Sequence, residues 1–342
     1  MIDTERLEQA YRDHGFYALQ LEVGDVCRQG CVYCYMNALE TPRNTLSDEQ
    51  ISAVLRDAAR LGVTAVEWLG GEPLLRESVF EHMALAADLG MRNNVWTGGL
   101  PLSLQEVRVN TVERARGGLL SVHVSTVDPG VYRTLHPGAD TSHLETILDG
   151  VRAVLDLGYP AGRMLNSVTF TGLQTAEDMI RTIDYFEERF GIRTSLNVYH
   201  TYLRPGAGDK ELRRFIPRPR EVEKVYRRYA EQWGVAEFPM NCVNKQYCSA
   251  TFAVLCDGGV TPCATIREQD APSIHTGRPL YDLVQENRSH LNLERLRDPS
   301  NLPPGCARCR LSDRCFGCRS RSWAAGRGLY GRDPRCFGPR LP

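Results

Sequence analysis

Short apolar runs alternate with amphipathic stretches along most of the chain. Tyr17-Ala18-Leu19-Gln20-Leu21-Glu22-Val23 alternates with period two and predicts a strand ending at Gly24. Ser47 offers an N-cap with Asp48 and Glu49 behind it. Ile51, Val54, Leu55, Ala58 and Leu61 then recur at helical spacing until Gly62. The same reading predicts strands at Ala65–Leu69, Asn93–Trp96, Leu120–Ser125, Met164–Phe170 and Thr194–Tyr199. Helices are predicted within residues 1–16 and at Val79–Leu89, Leu104–Ala115, Leu144–Leu157 and Ala176–Phe190.

Repeated strand–helix units predict an α/β fold with a parallel sheet. A partial (β/α)6 TIM-type barrel is favoured over a doubly wound sheet, because candidate chemistry recurs at strand C-termini: Cys27, Gly70, Thr97 and Ser125. No glycine-rich phosphate or dinucleotide motif follows a strand. A Pro/Gly/Arg-rich connection at Leu203–Arg220 and a charged helix at Glu221–Trp233 lead into a loop-dense, cysteine-rich tail. The predicted division is an N-terminal helix (1–16), a barrel (17–205), a linker with a bridging helix (206–240) and the tail (241–342).

Composition removes several classes. At 342 residues and 42% hydrophobic the chain can bury a large core, and no apolar run reaches the length of a membrane span. Met1-Ile2-Asp3 shows no basic start before an apolar core, so no secretory signal and a cytoplasmic location are expected. A net charge of −1 argues against a dedicated nucleic-acid surface.

The cysteines change the picture most. Twelve reduced thiols point to metal ligation rather than disulfides. Cys27, Cys31 and Cys34 form one group, the next 207 residues hold none, and nine follow in the last third. Three thiolates within eight residues leave a four-cornered centre one ligand short, open to an exogenous ligand. A zinc site completed by His14 or His123 is the alternative.

Cys27-x3-Cys31-x2-Cys34, with Tyr33 before the third cysteine at the end of a first strand, resembles the radical S-adenosylmethionine (radical SAM) enzymes. The resemblance implies a four-iron cluster on these cysteines whose open iron chelates S-adenosylmethionine, giving a 5′-deoxyadenosyl radical that abstracts hydrogen from an unactivated C–H bond. It implies Tyr33 near the adenine, and Gly70-Gly71-Glu72-Pro73 as the element whose backbone holds the methionine ammonium. Ser125 and Asp128 match the family's ribose region, or simply start a turn. Arg133 or Arg163 matches an arginine pairing with the cosubstrate carboxylate. Thr97-Gly98-Gly99 departs from the family's usual Thr-Asn-Gly.

The tail resembles the SPASM extension of one branch of that family. The resemblance implies two auxiliary four-iron clusters, one on Cys242, Cys248, Cys263 and Cys318, the other on Cys306, Cys309, Cys315 and Cys336. Cys256 is left over. A zinc ribbon shares the C-x2-C spacing.

Weaker catalytic candidates are Glu67, His123, Tyr199, His200 and Arg204; Glu67 shares a strand face with Leu69. The family's chemistry implies oxidation of the substrate radical through auxiliary clusters and an external flavodoxin- or ferredoxin-type electron donor. The expected substrate is a small polar metabolite such as a sugar, nucleoside or aminocyclitol. The alternatives are maturation of a ribosomal peptide, by crosslinking, dehydrogenation or epimerisation, and a non-enzymatic iron–sulfur or zinc scaffold.

Overall fold

The computed structural model describes residues 2–140, 142–199 and 213–338. In chain order the barrel elements are α1 (Thr4–Arg12), β1 (Ala18–Glu22), α2 (Asp48–Arg60), β2 (Ala65–Leu69), α3 (Val79–Asp88), β3 (Arg92–Thr97), α4 (Gln105–Arg114), β4 (Leu120–His123), α5 (Pro129–Leu135), α6 (His143–Asp156), β5 (Met164–Phe170), α7 (Ala176–Phe190) and β6 (Arg193–Val198). Then come α8 (Pro219–Gln232), α9 (Lys245–Ser249), β7 (Thr251–Val254), β8 (Val260–Thr261), α10 (Leu280–Glu286), α11 (Arg288–Leu291) and α12 (Arg319–Ala324).

Local chemistry sets the helix starts. Ser47 caps α2 by accepting from the Gln50 amide at 3.2 Å, while the Gln50 side chain accepts from the Ser47 amide at 2.8 Å. The one helix of the barrel half that periodicity does not predict is α5. Pro129-Gly130 reads as a break, yet Pro is tolerated at the first helical position and Asp128 caps the end.

The strands form one open eight-stranded sheet in the order β6-β5-β4-β3-β2-β1-β7-β8. From β6 through β7 all pairs are parallel; only β7–β8 is antiparallel. The tail is therefore not a separate appendix. Its first strand, β7, pairs with β1 (Ala18 opposite Thr251), so a boundary at residue 241 cuts a chain that rejoins the barrel sheet ten residues later.

One sheet face carries Leu19, Leu21, Val66, Trp68, Val95, Leu120 and Val122, buried against α2, α3, α4 and α6. Each such side chain is worth about 1.5–3 kcal/mol of burial. The opposite, inner face carries Gln20, Glu67, Asn94, Trp96, His123 and Thr169, most of them only half-buried. That contrast places the core outside the barrel and the polar groups within it.

Candidate cysteine centres and the inner face of the sheet

The first cysteine loop is held by the ends of β1, β2 and β3. The Gly71 amide donates to the Gly24 carbonyl at 2.9 Å and the Glu72 amide to the Val26 carbonyl at 2.8 Å. A Cβ on Gly70, whose φ is +145°, would stand 2.6 Å from the Gly24 oxygen, and one on Gly71 would collide with the Val26 carbonyl. Glycine is required here because two backbones touch just before Cys27. Glu72 turns to the end of β3, accepting from Thr97 Oγ1 at 2.8 Å and the Gly98 amide at 2.7 Å, and burial pushes its carboxyl up to about 7. Gln29 donates to the Gly98 carbonyl at 3.3 Å, tying the cysteine loop to Thr97-Gly98-Gly99. Pro73 opens a turn, Pro73–Leu75, in which Pro73 and Leu74 are buried and Leu75 is exposed.

Cys27, Cys31 and Cys34 lie within electrostatic reach of one another. Backbone amides of Gln29 and Ala38 donate to the sulfurs of Cys27 and Cys34, each at 3.4 Å. Burial pushes the Cys27 thiol up to about 12 and that of Cys31 well up, so thiolates here need a strong positive charge beside them.

Tyr33 is buried beside them. Its hydroxyl lies 2.7 Å from His123 Nε2 and 3.1 Å from Ser125 Oγ. Burial lowers His123 to about 4, leaving a neutral ring also bonded to the Ser167 backbone. His123 is thus a strut between β5 and Tyr33. Ser125 Oγ, fully buried, also accepts from the Thr169 amide at 3.0 Å. Asp128 accepts from the Gly130 and Val131 amides, so its carboxylate is a helix cap. Arg133 is exposed on α5. Arg163 stands before β5, at the opposite end of the strands from the cysteine loop, and donates to the Arg116 carbonyl at 3.1 Å. Tyr199 packs on Phe215 in the cluster that also holds Tyr33. His200 and Arg204 lie outside the described residues. Tyr132 and His136, stacked at 4.2 Å with His136 6.0 Å from Tyr33, complete this wall and had no spacing signal.

In the tail, one cavity is lined by Cys242, Cys248, Cys263 and Cys318, with Gln20 and Tyr247. A second is lined by Cys306, Cys309, Cys315 and Cys336. The structure thus brings together each set of four that the spacing resemblance grouped. Among the described residues no three or more His, Cys, Asp or Glu side chains are grouped closely enough to hold a metal ion. Asn241 Nδ2 donates to Cys248 Sγ and the Gly317 amide to Cys315 Sγ, both at 3.3 Å. Cys256 is buried outside both cavities.

The tail covers the β1–β2 end of the inner face. Tyr247 donates to Glu67 Oε1 at 2.6 Å, the Ala264 amide to Gln20 Oε1 at 2.9 Å, and Arg267 to Glu22 Oε1 at 2.6 Å. Tyr35, next to Cys34, donates to the same Glu22 oxygen at 3.0 Å. Glu67 also accepts from Asn94 at 2.9 Å and from Trp96. With three donors and almost no exposure, Glu67 orients Asn94 and Trp96 and is not itself open.

A sequence profile of the Radical SAM superfamily matches residues 21–186, the span holding the cysteine loop and the Gly-Gly-Glu-Pro strand end. The chain carries a radical SAM domain. As a radical SAM enzyme it uses a four-iron cluster and S-adenosylmethionine, and the matched span contains Cys27, Cys31 and Cys34. The probable GTP 3′,8-cyclase of Methanosarcina mazei is 26% identical over 267 residues, 73% of this chain and 78% of that one. The PqqA peptide cyclase of Rhodopseudomonas palustris is 24% identical over 360 residues, 93% of this chain and 86% of that one. Among solved structures, native anSMEcpe with bound AdoMet and Cp18Cys peptide matches with a TM-score of 0.67 at 16% identity, covering 94% of this chain and 93% of that one. Streptococcus suis SuiB bound to S-adenosylmethionine matches at 0.64 and 17%, covering 97% and 80%. The shared radical SAM fold therefore extends through the cysteine-rich tail. None of the described helices is long and apolar enough to cross a membrane.

Proposed function

We propose that the protein is a radical SAM oxidoreductase that removes hydrogen from an unactivated C–H bond of a small polar metabolite. The observation that carries the reading is the cysteine arrangement: three thiols in the barrel loop, and two cavities each ringed by four. When bound, the barrel cluster with S-adenosylmethionine supplies a 5′-deoxyadenosyl radical, while the fully ligated tail clusters can accept an electron. Cys27, Cys31 and Cys34 would hold the first. Cys242, Cys248, Cys263 and Cys318 would hold one auxiliary cluster, and Cys306, Cys309, Cys315 and Cys336 the other.

The chain's own residues supply binding and orientation. Tyr33, fixed by His123 and Ser125, forms the wall beside the cysteine loop. The Gly70-Gly71 backbone sets the position of that loop. Asn94, Trp96 and Thr169 present hydrogen-bonding groups on the inner face, and its buried acid, Glu67, has both oxygens occupied by three donors while burial holds its carboxyl above the usual range. A wall of hydrogen-bonding groups suits hydroxyl-rich substrates such as sugars, nucleosides or aminocyclitols. The tail cysteines would hold centres able to take the one electron that a substrate must still lose, with one proton, after giving up a hydrogen atom, which balances a two-electron oxidation. An external flavodoxin- or ferredoxin-type carrier exchanges the electrons.

A peptide substrate is the second reading, favoured by the relative named PqqA peptide cyclase, which aligns over 93% of this chain. Iron, sulfide and zinc analysis after anaerobic reconstitution tests the centres: about 12 iron atoms per chain with almost no zinc is expected. About 4 iron with zinc would remove both auxiliary clusters and the oxidative route. Release of 5′-deoxyadenosine with pooled sugars, nucleosides and aminocyclitols, against pooled peptides, then separates the substrate classes.

A further inference from the structure

The two tail cavities nearly touch. In Cys315-Phe316-Gly317-Cys318 the first cysteine lines one cavity and the last lines the other. Gly317 and Asp333 line the second cavity, and Arg319 and Ser320 the first. Beside them lie two buried guanidinium groups, Arg319 and Arg321, each only 3% exposed, and one buried carboxylate, Asp333.

The two arginines differ in their partners. Arg321 forms a buried ion pair with Asp333 at 2.8 Å and also donates to the Met240 carbonyl. Arg319 pairs with no carboxylate among the described residues. Its guanidinium donates only to backbone carbonyls: Leu329 and Gly331 at 2.8 Å, Gly317 at 3.2 Å, and Phe316. Carbonyl dipoles satisfy its hydrogens, and the nearby carboxylate, Asp333, is already paired with Arg321, so the two guanidiniums carry one positive charge in excess, which is heavily penalised out of water. The position is built around it. Gly317 has a φ of +75°, and a Cβ there would stand 2.9 Å from Arg319 Nη2.

The missing negative charge lies on both sides. After Asp333, Cys318 of one cavity and Cys306 and Cys315 of the other act electrostatically on Arg319. A four-cysteine iron–sulfur centre is anionic and gains one more negative charge on reduction, and its potential follows local charge and hydrogen bonding.

We propose that Arg319 is the shared counter-charge of the two tail centres, stabilising their reduced states and so fitting both to accept an electron from the barrel. This rests on the reading that both cavities hold iron–sulfur clusters. Arg319 touches no reacting atom; it acts through the centres beside it.

The test is a potentiometric titration of the reconstituted holoenzyme, followed by electron paramagnetic resonance, with Arg319→Gln and Arg319→Lys compared with the wild type. Gln removes the charge and Lys keeps it. The expected result is at least a tenfold loss in the reduced-to-oxidised ratio of the tail centres at fixed potential in Arg319→Gln, a shift of 59 mV for a one-electron couple, with Arg319→Lys close to wild type. Loss of tail iron in Arg319→Gln with full loading in Arg319→Lys supports the same conclusion, since charge is then what the centres require. Unmoved potentials in an iron-replete Arg319→Gln overturn it. So does equal loss of iron in both variants, which would make Arg319 a strap for carbonyls. A wild type holding about 4 iron atoms overturns the two-cluster reading itself, and this inference with it.

Discussion

The barrel and the tail hold their cysteines by opposite means. The barrel loop sits on the ends of three strands and is fixed by backbone contacts, Gly71 to Gly24 and Glu72 to Val26, above a large apolar core. The tail has short elements, a small core around Ile266, Leu296 and Phe316, and a pair of buried arginines. A sheet can place a loop without help from its ligand. A segment with little core gains its order from what it binds.

Replacing cysteines should break the two regions differently, and this is the largest effect expected. Cys31→Ala should lower 5′-deoxyadenosine release by at least about 1,000-fold, while melting stays close to wild type. Cys318→Ala or Cys306→Ala should instead cost iron and order together. Limited proteolysis would then cut the tail first, and cleavage beginning in the barrel would contradict the contrast.

Arg321→Met strands Asp333 without its partner. The expected loss is about 3–5 kcal/mol, read by denaturant unfolding of the loaded protein. An equivalent change at the exposed pair Arg152–Asp149 should cost no more than about 1 kcal/mol.

Gly71→Ala sharpens the barrel side. Its Cβ collides with the Val26 carbonyl, so the strand end must shift, at about 1–3 kcal/mol. Binding of S-adenosylmethionine, measured by calorimetry, should weaken more than stability does. Unchanged binding would separate the Gly-Gly-Glu-Pro element from the cosubstrate.

The smallest effect is on pH dependence, where two barrel groups oppose each other. Glu72, held up to about 7 against 4.5 unfolded, keeps a proton in the fold; its contribution is present at low pH and fades as pH rises from 4.5 through 7. His123, held down to about 4 against 6.5, is charged only when unfolded; its contribution is present above 6.5 and fades as pH falls through 4. Each is worth at most about 1.4 kcal/mol per pH unit. Melts from pH 4.5 to 6.5 should therefore climb more steeply with pH in Glu72→Gln and less steeply in His123→Asn.

Legibility followed the same divide. Strands Ala65–Leu69 and Met164–Phe170 and helix Ala176–Phe190 match the predicted bounds residue for residue, because each is an apolar run or stripe that local sequence alone delimits. The return of β7 to β1 had no local signal, since pairing across more than 200 residues leaves no trace in a short window. The cysteine groups were legible because spacing along the chain is itself the constraint. The packing partners were not. Glu67 reads as an inward acid in sequence, but only the fold shows three donors closing on it from β3 and α9. Arg319 sits among many arginines, and what sets it apart is near-complete burial with only carbonyl partners among the described residues.

The parallel pairing of Ala18 with Thr251 also sets a clock on biosynthesis. At about 5–20 residues per second, some 10–50 s separate emergence of β1 from emergence of β7. Throughout that interval the nascent barrel carries an unpaired edge at β1, the kind of edge that recruits strands from other chains. Completion of the last third of the chain thus covers the β1 edge as well as adding to the sheet, and a ribosome stalled before β7 leaves an adhesive product.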